Sequence, residues 1–168
     1  ALRARGVDAR LAPDFEYGMV FADSAAFATA GLPMDSVLRD IAGAIRAVPG
    51  VARVDFVRDL RRADTTTDVI ARRWLHALPP DLGVPLVVTP KPGVYWQGVR
   101  IATHGSPNDA DARVPIAFMG PGFARGRRVA RPVRTVDIAP TLARRLGLVP
   151  AERLDGVVLT DAFASPRR

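Results

Sequence analysis

ATHGSPNDADARVPIAFMGPGF, residues 102–123, decides how the chain is read. Its second half, VPIAFMG at 114–120, is a near-continuous apolar run closed by Gly-Pro-Gly. Such a run is the pattern of a strand buried on both faces of an α/β sheet. Its first half is polar and turn-forming: Gly105 and Ser106 let the backbone fold back tightly, Pro107 stiffens the exit, and Asn108, Asp109 and Asp111 keep the loop wet. At the lip stands His104, one of only two histidines in the chain. Loops at strand ends are where α/β proteins concentrate their functional groups. His104 is therefore the candidate, against the alternative of a hydrogen-bonded structural imidazole.

Working outward, VDIAPTLARRLGL (136–148) keeps helical spacing through Ile138, Leu142, Leu146 and Leu148. Pro140 is tolerated near the first turn, and Gly147 supplies the C-cap. LDGVVL (154–159) reads as a turn at Asp155-Gly156 followed by a short closing strand. Upstream, FEYGMVFA (15–22) has the apolar content of a strand. PMDSVLRDIAGAIRAVPG (33–50) predicts a helix capped by Asp35 or Ser36, with Val37, Ile41, Ala44, Ile45 and Val48 on one face. VARVDFV (51–57) is a strand, and TTTDVIARRWLHAL (65–78) a second helix burying Val69, Ile70, Trp74, Leu75 and Leu78. VPLVVTPKPGVYW (84–96) predicts a strand, a Pro-rich turn and a short aromatic strand. No internal repeat or linker interrupts the 168 residues, and 48% apolar content suffices for a core.

Cysteine is absent, which excludes disulfides and thiolate metal sites and leaves the redox compartment open. The charged start ALRARGVDARLAPD is not a signal peptide, and no twenty-residue apolar run is present. A net charge of +7 invites a nucleic-acid reading. Against it, the charge is almost entirely arginine, with Lys91 the single lysine, and it is spread among carboxylates without interleaved aromatics. The densest group, Arg125, Arg127, Arg128, Arg131 and Arg134, reads as a solvated loop, with an anion patch as the alternative. Neither nucleic acid nor a membrane is expected as a partner.

THGSPNDADARVPIAFMGPG, followed by VRTVDIAPTLARRLGL and LDGVVL, resembles the C-terminal end of the alkaline phosphatase superfamily. The nearest types are the bacterial phosphate-irrepressible alkaline phosphatases and the nucleotide pyrophosphatase/phosphodiesterases. The resemblance covers residues 103–159 and extends more thinly over 67–98 through WLHALPPDLGVPLVVTPKPGVYW. It implies an α/β fold, the C-terminal part of a phosphatase-like sheet flanked by helices, with residues 1–63 a peripheral α+β excursion and 64–168 the core-sheet portion of a single unit. It also implies a two-zinc site to which His104 gives the last histidine ligand, with Thr103, Ser106 and Asn108 beside it. In that family the zinc ions activate a Thr or Ser nucleophile and offset phosphate charge.

The chain departs from the family pattern upstream. None of its seventeen acids forms an Asp-His or Asp-x-x-x-His pair with either histidine, and the family's nucleophile motif and upstream aspartate are missing. His76, at the end of a helix beside Trp74, suits a contact with the helix dipole or packing. Thr65-Thr66-Thr67 suits a helix cap rather than a nucleophile. Gly120-Pro121-Gly122 reads as a strand terminator, Tyr95 and Trp96 as packing or cleft-lining aromatics, and Arg113 as an ion-pair partner of Asp109 or Asp111. The expectation is the C-terminal segment of a zinc-dependent phosphate ester hydrolase that needs further polypeptide to turn over, acting on phosphate esters in the periplasm or outside the cell. The second reading is a non-catalytic anion- or protein-binding module that keeps this scaffold.

Overall fold

The computed structural model describes residues 13–79, 81–95 and 105–164, and the chain divides into two compact units, Ala1–Arg113 and Val114–Arg168. In the first unit β1 (Asp14–Glu16) and β2 (Met19–Phe21) form a hairpin where the sequence pattern predicts one strand. Tyr17 and Gly18 take φ of 48° and 84°, two successive left-handed residues. That corner matches the twist of paired strands, and a tyrosine at its first position hides the turn signal that Asn or Asp would give. Next comes α1 (Ser24–Thr29), whose first amides, Ala25 and Ala26, donate to the Asp23 carboxylate.

The longest helix, α2 (Met34–Arg46), starts at Pro33 rather than at a side-chain cap. Asp35 is occupied elsewhere, 2.7 Å from the Arg58 guanidinium. Its buried stripe runs through Val37, Leu38 and Ala42, with Ile41 and Ile45 at the margin, while Val48 lies outside it and is exposed. Then follow β3 (Val51–Phe56), a single turn α3 (Val57–Leu60), α4 (Val69–Ala77) and β4 (Leu86–Pro90).

The strands lie in the order β1-β2-β4-β3, every neighbouring pair antiparallel, so β4 is central and all five of its residues are buried. Strand alternation then separates two cores. Leu86 and Val88 meet Leu38 and Ala42 of α2 together with Val20, Val51 and Val54. Val87, on the opposite face, meets Val57, Leu60, Ala71, Trp74 and Leu78 from α3 and α4. The result is a thin α/β sandwich in which β4, placed by the sequence in the 64–168 portion, pairs with strands from 1–63. Pro90 closes β4, where a missing amide costs no ladder bond. Beyond it Val94 and Tyr95 form no strand, and Trp96 lies outside the described residues.

The first unit ends with a single turn, α5 (Asp109–Ala112). In the second unit VPIAFMG does not form the buried strand that its composition predicts: residues 114–119 carry no backbone ladder among the described residues, and Val114 and Met119 are exposed. An apolar run becomes a strand only against a neighbour that takes its N–H and C=O groups. A 3-10 turn, Thr135–Asp137, leads into α6 (Ile138–Leu146), which ends on Gly147 in the left-handed conformation. Residues 154–159, predicted as a closing strand, are instead held by side chains. Val157 donates to Asp137 Oδ1 and Leu159 to Thr141 Oγ1, each at 2.9 Å. Gly156 passes so close to the Val136 carbonyl that a Cβ there would collide with it.

Candidate functional site

His104 and Thr103 lie outside the described residues, which resume at Gly105. The turn that follows is described and firmly built. Gly105 takes φ of 114°, a backbone open to glycine and strained for other residues. Asn108 is buried, and its amide donates to the Pro90 carbonyl at 2.9 Å, tying the turn to the end of the central strand β4. The Asn108 backbone N–H reaches Ser106 Oγ, and Ser106 N–H reaches Asp111 Oδ2, both at 3.2 Å.

A third tie comes from α4. Arg73 donates through Nη1 to the Pro107 carbonyl and through Nη2 to Asp109 Oδ1, both at 2.7 Å. α4 is itself anchored below: Trp74 Nε1 donates to the buried Thr89 hydroxyl of β4 at 2.9 Å. Arg113 completes the group, 3.0 Å from Asp109 Oδ2. Hydrogen bonding from Arg73, with the Arg113 charge behind it, holds the Asp109 carboxyl below the usual carboxylate range. The pattern around His104 thus gives Arg113 its partner, Asp109, and assigns Asp111 to the Ser106 amide. Arg73 is the residue that sequence reasoning missed, because its contacts lie 34 and 36 positions away and no local spacing signals them.

Other sequence candidates resolve into local structure. Thr66 and Thr67 hydrogen-bond to the Asp64 carboxylate, which those contacts hold below its ordinary range. The cap of α4 is Asp68, accepting from Ala71 N–H at 2.9 Å and gripped by Arg53, which also holds Asp55. His76 is exposed in the last turn of α4, at the C-terminal end of the helix where the sequence places it. At Gly122 the Arg145 guanidinium occupies the space a side chain would fill, and its Nε donates to the Pro121 carbonyl at 2.7 Å. Tyr95 is half exposed.

The zinc implied by the family resemblance can be tested against these donors. Among the described residues no group of three His, Cys, Asp or Glu side chains is placed to hold a metal ion. Asp109 and Asp111, the carboxylates beside the turn, are already committed to Arg73, Arg113 and the Ser106 amide. The described residues therefore do not make a zinc site by themselves. A groove of about 320 Å³ between α2, β3 and α3, lined by Met34, Leu38, Phe56 and Arg58, involves none of the turn residues.

No protein-family model matches the chain. Among curated proteins it is 47% identical over 57 residues to alkaline phosphatase PhoK of Sphingomonas sp, covering 33% of this chain and 10% of that protein. It is 54% identical over 46 residues to alkaline phosphatase PhoD of Zymomonas mobilis, covering 27% and 8%. Among solved structures, a multiply substituted variant of alkaline phosphatase PafA superposes with a TM-score of 0.73 at 23% identity, over 88% of this chain and 28% of that one. Wild-type PafA gives 0.74 at 18% identity, over 97% and 35%. The matched segments span about a tenth of the curated relatives and about a third of the solved chains. Most of the chain thus superposes on about a third of the PafA fold, and a third or less of its residues align with two alkaline phosphatases, so the resemblance to the alkaline phosphatase superfamily read from residues 103–159 is supported over a part of its members' length.

Proposed function

We propose that the chain is part of a zinc-dependent phosphate ester hydrolase of the alkaline phosphatase type, that His104 supplies one of its metal ligands, and that the 168 residues do not turn over alone. The observation that carries the reading is the 47% and 54% identity to two alkaline phosphatases. The built turn supports it: Asn108, Ser106 and Arg73 fix the backbone next to His104 from β4, α5 and α4, the kind of support that a ligand-bearing loop needs. The zinc would supply Lewis acidity and charge neutralisation at a phosphate ester when the remaining ligands are present. What this chain would contribute is one imidazole, adjoining a turn that is tied to the end of β4. Periplasmic or extracellular residence belongs to the same proposal.

The test is hydrolysis of p-nitrophenyl phosphate by the chain alone and by the complete protein that contains it. The chain alone is expected to give no zinc-dependent rate, and the complete protein a rate abolished by chelation and restored by zinc. A complete protein that hydrolyses the ester unchanged after chelation contradicts the zinc reading, and full activity of the chain alone contradicts the need for further polypeptide.

A further inference from the structure

Two routes tie the turn after His104 to β4, and they leave the strand from neighbouring residues. The first is direct: the Asn108 amide donates to the Pro90 carbonyl at 2.9 Å. The second runs through α4. Thr89 accepts from Trp74 Nε1 at 2.9 Å, and Arg73, next in the chain to Trp74, donates to the Pro107 carbonyl at 2.7 Å. Thr89 and Pro90 adjoin in β4, and Pro107 and Asn108 adjoin in the turn, so the two routes close a ring of covalent and hydrogen bonds within the first unit. The proline ring fixes φ at Pro107, which leaves the ψ rotation that swings its carbonyl, and Arg73 arrests that rotation. The second prong of the guanidinium, Nη2, reaches Asp109 Oδ1 at 2.7 Å and so spans Asn108 from both sides. The routes differ in what they do for stability. The Asn108 and Trp74 bonds are buried, where loss of a partner strands a polar group. The Asp109 side chain is 58% exposed, and an open ion pair contributes little to folding.

We propose that Arg73 is a positioning residue: its two-pronged contact with the Pro107 carbonyl and the Asp109 carboxylate fixes the turn that adjoins His104, while adding little to the stability of the unit. Its role toward a metal rests on the function proposed above; its hold on the turn does not. Arginine suits this task and lysine does not. The planar guanidinium offers two N–H directions at once, used here on a carbonyl and a carboxylate, whereas an ammonium is one point charge on a flexible stem. Arg113 meets the other Asp109 oxygen at 3.0 Å from within the same segment, so it orders the carboxylate without linking it to α4. Arg58 supplies the contrast, pairing with Asp35 of α2 at the same 2.7 Å in a groove that involves none of the turn residues.

The experiment compares Arg73→Ala, Arg73→Lys and Arg58→Ala in the complete protein that contains this chain. With zinc removed by chelation, hydrogen exchange of peptides over 105–113 is read by mass spectrometry; with zinc returned, competition against a chelator gives the zinc affinity. The amides of Asp111, Ala112 and Arg113 donate to Asn108 and Asp109 carbonyls, so they report on the turn. Arg73→Ala is expected to speed their exchange about tenfold, the factor that one lost charged contact carries. It should also lower zinc affinity about 10–100-fold, the effect of losing support behind a metal ligand. Its urea midpoint should stay near that of Arg58→Ala. Arg73→Lys should behave as Arg73→Ala does, and Arg58→Ala as the unsubstituted protein in exchange and affinity. Unchanged exchange in Arg73→Ala overturns the proposal, and so does full recovery with lysine, which makes charge alone sufficient. Loss of protection throughout the unit overturns it as well, since Arg73 is then a stability residue. Faster exchange at the turn with full zinc affinity removes the role toward the metal. A protein that binds no zinc in any form, yet exchanges faster at the turn in Arg73→Ala, leaves Arg73 holding the turn and defeats the proposed function instead.

Discussion

Asp137 and Thr141 replace a strand ladder in the C-terminal unit. One carboxylate accepts from Arg134 N–H through Oδ2 and from Val157 N–H through Oδ1, both at 2.9 Å, while the Thr141 hydroxyl donates to the Asp137 carbonyl and accepts from Leu159. The amide of Arg134 first, then that of Val157, holds the Asp137 carboxyl below its ordinary range. A depressed folded value sets the sign of the pH dependence. Asp137 contributes stability in full above the unfolded carboxyl value of about 3.9, and the contribution is lost as pH falls through the lower folded value. Asp137→Ala should cost about 1–3 kcal/mol, and faster exchange of the Val157 and Leu159 amides at neutral pH is the readout. Unchanged exchange would show that the segment 155–159 is held by something else. At this scale the sequence offers His104 as a candidate only through the turn residues beside it and the family resemblance, and His104 itself lies outside the described residues. The sequence does not mark Arg73 or Asp137, whose partners are remote in the chain.

Among the elements, β4 carries the most consequence, since its alternation assigns one helix layer to each sheet face. Leu38 of α2 packs against it within the first apolar cluster and is 2% exposed. Leu38→Ala is expected to destabilise the first unit by about 2–5 kcal/mol, measured by urea unfolding with an unchanged slope. On the other face Trp74→Phe removes the donor to the buried Thr89 hydroxyl and should cost about 1–3 kcal/mol in the same assay. In the second unit Gly156→Ala puts a methyl group into the Val136 carbonyl and should loosen 155–159, read as lost amide protection at Val157. Helices α2, α4 and α6 are legible because apolar spacing and stop signals agree. The β1–β2 turn is not, because tyrosine seldom takes positive φ. Nor are 114–120 and 154–159, since composition reports apolar content and not the presence of a pairing neighbour.

For the whole molecule, the fold likeness to PafA over most of the chain and the close identity to two alkaline phosphatases over short segments bear on different things. The first gives the architecture and the second carries the proposed chemistry. The sequence reaches the superfamily through local motifs that survive in a third of the chain, and it does not reach the exposed leucines of α6, because helical spacing looks the same whether its apolar face is covered or open. The central claim is that His104 is a metal ligand completed by polypeptide beyond these residues. It is tested most directly by counting zinc in the complete protein, by mass spectrometry under native conditions, in His104→Ala and in His76→Ala. Loss of zinc in the first variant and full zinc in the second is the predicted result. Full zinc in His104→Ala, with the fold intact, contradicts the claim.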